Sequence, residues 1–168
     1  MECLTPEKAV ELNAASEAFT LFLYSEIKFG PNTLGDWAEQ MGCDIPEEPD
    51  FKDLVALEKK ISDLFAIASN NFYYANSYHK ATVAATERFR AESYKKIANT
   101  PVEGKRRTTA TLEAEVEDAI AIKKDNEVYA SIVRDFWDTQ LTIIKKKSET
   151  LKNLFWSVKA QFDSGNGV

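Results

Sequence analysis

Between Pro49 and Pro101 the chain contains neither proline nor glycine. Proline breaks helix interiors and glycine weakens them, so an interval this long without either permits a helix far beyond ordinary length. The apolar pattern agrees. Leu54, Leu57, Ile61, Leu64, Ala68, Ala75, Tyr78 and Ala85 recur at alternating steps of three and four, with Asn71 and Thr82 in the polar gaps. This heptad-like seam predicts a helix of about fifty residues, on the order of 70 Å long. Asp50 supplies its N-cap. Such a helix needs a partner helix along most of its length.

The partner lies downstream. The segment Thr100-Pro-Val-Glu-Gly-Lys-Arg-Arg107 is the clear central breaker, and Thr108 or Thr109 then caps a helix bearing Leu112, Val116 and Ile120. The step Lys124-Asp125-Asn126 either interrupts that helix or merely marks it. Beyond it, Leu141, Ile144, Ser148, Leu151, Phe155, Val158 and Phe162 keep an unbroken seven-residue repeat. The sequence therefore predicts an all-α fold: a long antiparallel coiled-coil-like hairpin over residues 50–168. Its seam residues Leu54, Leu57, Ile61, Leu64, Leu141, Ile144, Leu151, Phe155 and Val158 are candidates for joining copies in a homo-oligomer. Ser164-Gly165-Asn166-Gly167 reads as a frayed tail.

Residues 1–49 read as a separate acidic helical module and linker. Thr5-Pro6-Glu7 is a helix start, and Phe29-Gly30-Pro31 a helix stop with glycine in the left-handed C-cap. A short helix is expected from Thr33 to Met41, with Leu34, Trp37 and Met41 on one side and Gly42 ending it. The following residues 43–50, with Pro46, Pro49 and four acids, form an extended acidic linker.

Charge follows the same division. The chain of 168 residues has a net charge of −6, which taken whole argues against a polyanion binder. Residues 1–76, however, sum to −9 and residues 77–168 to +3. No apolar run approaches the length needed to span a bilayer, and the N-terminus lacks the pattern of a signal peptide. Cys3 and Cys43 make no disulfide framework or zinc pattern, which fits a reducing cytoplasm.

Catalytic chemistry finds little purchase. His79 is the single histidine and has no second ligand at metal-binding spacing, so it reads as a helix-surface or core-edge residue. Neither cysteine has a histidine nearby in sequence, and the glycines form no phosphate-cradling loop. Glu113, Glu115, Glu117 and Asp118 read as the solvated face of a helix N-terminus. The expectation is a protein that is not an enzyme and takes no metal or cofactor.

The back half interleaves cations with rings: Tyr73, Tyr74, Tyr78, Lys80, Arg88, Phe89, Arg90, Tyr94, Lys95, Lys96, Lys105, Arg106 and Arg107. Single-stranded nucleic acid is bound by this mixture, cations for phosphates and rings for unstacked bases. The same residues also suit a solvated coiled-coil face, with Glu92 pairing to Lys95 and Lys96 and Glu87 to Arg90 along the helix. Phe89 falls on the seam and is expected in the core. Lys145-Lys146-Lys147 wraps around its helix and reads as solvation. Arg88 and Arg90 lie about 200° apart on a helix, so one partner does not meet both on a straight helix.

The segment Arg88-Phe-Arg90-Ala-Glu92-Ser-Tyr94 resembles the basic-x-basic-x-acid-x-Tyr segment of phage recombination mediator proteins of the UvsY type. The stretch Lys105-Arg-Arg-Thr-Thr-Ala-Thr-Leu-Glu-Ala-Glu-Val116 is similar to the helix that follows in that family, and a long final helix closes both. The resemblance covers roughly residues 51–162. It implies a homo-oligomeric ring that binds single-stranded DNA, displaces single-strand-binding protein and loads a recombinase. It further implies DNA contacts at Arg88 and Arg90, with Lys105, Arg106 and Arg107 near a second basic segment. With Tyr94, Lys95 and Lys96 added, these form the candidate nucleic-acid site. A structural or adaptor protein that assembles through its seam is the alternative. The acidic front half then serves as a docking arm that mimics DNA charge.

Overall fold

A computed structural model describes the backbone of residues 6–100 and 108–165, and the side chains of residues 14–100 and 108–160. The order is α1 (Pro6–Glu26), β1 (Lys28–Phe29), β2 (Asn32–Thr33), α2 (Leu34–Gln40), α3 (Phe51–Asn99) and α4 (Thr109–Gly165). The fold is all-α, and its two long helices pack against each other as an antiparallel hairpin. The described residues divide into two compact units, one within Met1–Phe65 and Thr142–Val168, the other Ala66–Leu141. The linker expected at residues 43–50 thus falls inside the first unit.

The starts of α2, α3 and α4 each have a local cause. The Asp53 backbone amide donates to Asp50 Oδ1 at 2.7 Å, and the Asp50 amide to Asp53 Oδ2 at 3.2 Å, a reciprocal cap that sets α3 running for 49 residues. Thr108 caps α4, its Oγ1 accepting from the Thr111 amide at 3.2 Å. α4 then continues for 57 residues without interruption, so Lys124-Asp125-Asn126 marks the helix and does not break it. At α2, Thr33 and Asp36 form the same kind of reciprocal cap, 3.0 and 2.8 Å. Hydrogen bonding to the carboxylate by Thr33, from its backbone amide first and its side chain second, holds the Asp36 carboxyl below the usual carboxylate range.

Gly30 does not end α1. The helix stops at Glu26, and residues 28–33 form a two-stranded antiparallel ribbon with Lys28 opposite Thr33 and Phe29 opposite Asn32. Gly30 occupies the first central position of the connecting turn with φ +65°, a conformation that side chains resist. The left-handed glycine was legible; the element it serves was not, because strands of two residues leave no periodic signal.

In the first unit, Ile27, Leu34, Met41 and Cys43 are buried together with Leu54, Ile61, Leu64, Ile144 and Leu151. Trp37 Nε1 donates to the Phe29 carbonyl at 2.9 Å, and Lys147 Nζ donates to the Cys43 carbonyl, fastening the small module to α4. In the second unit the core is Ala68, Ala75, Val116, Ile120, Ala130, Val133, Phe136 and Trp137, with Thr86 and Ser93 on the α3 side. Here the seam departs from the heptad. Tyr78 and Ala85 are exposed, while His79 is half-buried and Thr86 buried. Between Ala75 and Thr86 the buried positions step by eleven residues, three turns of an ordinary helix. A straight helix drifts by about 20° per heptad against a strict seven-residue repeat.

The seam residues named as joining copies lie inside one chain's own hairpin. Leu54, Ile61, Leu64, Ile144 and Leu151 are buried there, and Leu57, Leu141, Phe155 and Val158 half-buried. Among the described residues no helix is long and apolar enough to cross a membrane.

Candidate nucleic-acid interface

The candidate residues of α3 all belong to the second unit, and their places around the helix follow from 100° per residue. Arg88 and Lys95, seven residues apart, lie within about 20° of each other and opposite the buried stripe of Ala75, Thr86 and Ser93. Lys96, Tyr78 and Phe89 lie together on the adjoining flank, about 80–100° farther round, with Tyr74 between. Arg90 and Tyr94 lie on the opposite flank. All of these side chains are exposed.

α4 completes the first flank. Lys123 Nζ stands 5.8 Å from the Phe89 ring centre, and Lys123 and Asn126 face Tyr78, Ala81, Thr82 and Ala85 across a shallow hollow. Phe89 is 37% exposed, so it belongs to this flank and not to the core, contrary to the heptad expectation. The displacement has the same cause as at Tyr78 and Ala85: the seam has drifted one position along by this point. The result is one surface bearing Arg88, Lys95, Lys96 and Lys123 with the rings of Tyr74, Tyr78 and Phe89. Glu92 is the acid within it. Among the described residues, Arg88, Lys95, Lys96 and Lys123 form no ion pair with another described side chain.

Arg90 is occupied differently. Its Nη2 reaches Glu117 Oε1 on α4 at 2.5 Å, and Lys124 Nζ donates to Glu117 Oε2. The Lys124 hydrogen bond first, and the Arg90 charge after it, hold the Glu117 carboxyl below the usual glutamate range. The pairing expected between Glu87 and Arg90 is replaced by this cross-helix pair. The 200° separation of Arg88 and Arg90 is thereby accounted for: one faces outward, the other is turned to α4.

Sequence reasoning missed Lys123, because its neighbourhood with Phe89 spans 34 positions. The available signal was the antiparallel register, in which Phe51 meets Phe155 and Arg90 meets Glu117. Lys105, Arg106 and Arg107 lie outside the described residues. His79 is half-buried on the inner side of α3, its Nδ1 3.1 Å from Arg134 Nη1. Arginine only donates, so Nδ1 accepts and the ring carries its proton on Nε2. Arg134 is in turn paired with Asp135 at 2.6 Å, which makes the cluster a hydrogen-bonded helix contact. Among the described residues, no group of three or more His, Cys, Asp or Glu side chains is placed to hold a metal ion. No family model, no curated protein and no solved structure matches this chain.

Proposed function

We propose that this chain is a non-enzymatic, cytoplasmic protein that binds single-stranded DNA along its helical hairpin and acts as a recombination mediator, loading a recombinase where single-strand-binding protein has been. The observation that carries the reading is the flank of the second unit where Arg88, Lys95, Lys96 and Lys123 stand beside exposed Tyr74, Tyr78 and Phe89. Cations at that spacing neutralise phosphates, and exposed rings stack on bases freed from a duplex. A duplex keeps its bases stacked inside, so the rings add affinity for single strands alone. Tyr94, on the opposite flank beside Arg90, is not part of that surface. No metal or nucleotide enters the binding, which is sequence-tolerant.

The test is fluorescence anisotropy with a labelled oligonucleotide, single-stranded and as a duplex, at two salt concentrations. The reading expects tighter binding of the single strand and a steep loss of affinity with salt. Equal affinity for the two forms, or affinity indifferent to salt, would sink it. A specific observation favours the adaptor reading as well: exposed Phe19, Leu21, Phe22, Phe51 and Trp156 in the first unit offer protein-binding surface remote in sequence from the DNA flank.

A further inference from the structure

The flank proposed to bind DNA has a notch in it. Tyr78 and Phe89 lie on one side of α3, about 16 Å apart along the helix axis, and the positions between them on that side hold the short side chains of Ala81, Thr82 and Ala85. With buried Thr86 beneath, these leave a hollow of about 280 Å³ against Lys123 and Asn126 of α4. Sites for drug-sized ligands begin near roughly 300 Å³, so this hollow has room for a single flat ring system. All of its lining belongs to the second unit.

The lining is chemically specific. Tyr78 offers an exposed ring, and Lys123 stands between the hollow and the Phe89 ring, 5.8 Å from its centre. Thr82 Oγ1 donates to the Tyr78 carbonyl at 2.9 Å, and Thr86 Oγ1 to the Thr82 carbonyl at 3.1 Å. Both hydroxyl protons are spent on the helix backbone, so toward a ligand these threonines only accept. Asn126 differs from them. It is exposed, and among the described residues its carboxamide has no hydrogen-bond partner. A carboxamide presents a donor and an acceptor side by side.

A ring to stack on, a cation for the adjoining phosphate and an open donor–acceptor pair are what an unstacked nucleobase requires. Every base carries a donor beside an acceptor on its Watson–Crick edge, and a carboxamide turned over at its Cβ–Cγ bond meets either order. In a duplex that edge is spent on the opposite strand. We infer that the hollow seats one base of the bound strand, stacked on Tyr78 with its Watson–Crick edge on Asn126. The seat selects an unpaired base without selecting which base. The inference rests on the DNA-binding reading and adds to it the residue that tells single strand from duplex.

Anisotropy titrations of the full chain test it with three labelled strands of about 12 nucleotides: oligothymidylate, the same strand built from N3-methylthymine, and the same backbone without bases. N3-methylation blocks the Watson–Crick edge and leaves the ring and the phosphates. Wild type is expected to bind the methylated strand roughly two- to tenfold more weakly than the unmodified one. Asn126→Ala loses the same factor on the unmodified strand, and methylation then costs it nothing more. Tyr78→Ala weakens both base-bearing strands by roughly fivefold or more and leaves the baseless one unchanged. Neither variant alters the salt slope, and circular dichroism verifies that both keep their helix content. Free thymidine at about 1 mM leaves the strand bound; displacement makes the hollow a nucleoside site and overturns its assignment to the strand. Binding that is steep in salt and specific for single strands, yet indifferent to N3-methylation or to Asn126→Ala, overturns the base seat alone. Absence of single-strand binding overturns the DNA-binding reading and the seat with it.

Discussion

The proposed DNA-binding flank makes a quantitative demand on salt dependence. Each phosphate neutralised on a single strand contributes about 0.7 to the slope of log affinity against log salt. Arg88 and Lys96 stand on the proposed surface without an ion-pair partner among the described residues. Replacing both with alanine therefore lowers the slope by about 1.4. Between 50 and 200 mM salt that difference amounts to roughly sevenfold, so the double variant loses about seven times less affinity over this range than wild type does. Arg90→Ala is the internal control. Its guanidinium is held by Glu117 on the other flank, so its removal leaves the slope where it was. Anisotropy titrations of one labelled oligonucleotide across the salt series give all three slopes. A slope unchanged in Arg88→Ala/Lys96→Ala, or lowered as much by Arg90→Ala, refutes the placement of the binding face.

Other expectations concern the fold. Gly30→Ala forces a side chain into φ +65° and costs about 1–2 kcal/mol, seen as an earlier midpoint in urea unfolding. Leu54→Ala, at a fully buried seam position, costs about 2–5 kcal/mol with helix content preserved below the transition. Glu117 has its carboxyl pKa lowered in the folded chain, so its contribution is present above the ordinary glutamate range and is lost as pH falls through the folded value. Glu117→Gln should flatten that acidic part of the stability profile in thermal melts at low salt; an unchanged profile would show that the pair with Lys124 and Arg90 contributes nothing to stability.

Much of the architecture could be read from local chemistry. Asp50 announces α3 through a cap made within four residues, and Thr33 announces α2 in the same way. The hairpin follows from the length of helix that must find a partner. The seam was legible only in part, because a strict seven-residue repeat was extended where the helix keeps its own period. Tyr78, Ala85 and Phe89 consequently surface, and His79 and Thr86 turn inward. For the candidate site, residue types were legible and facing was not. Whether Arg90 answers to Glu87 or to Glu117 depends on a register that no local pattern encodes, and Lys123 joins Phe89 for the same reason.

The cysteine in the small module has a practical consequence. Cys43 is 2% exposed, and its own carbonyl receives the Lys147 ammonium that ties the module to α4. A thiol reagent reaches that sulfur only when the fastening opens. If the chain recloses faster than it is modified, the labelling rate reports the free energy of that local opening separately from global unfolding. With Cys3 replaced by serine, a single thiol thus becomes a clock for how often the N-terminal module lets go.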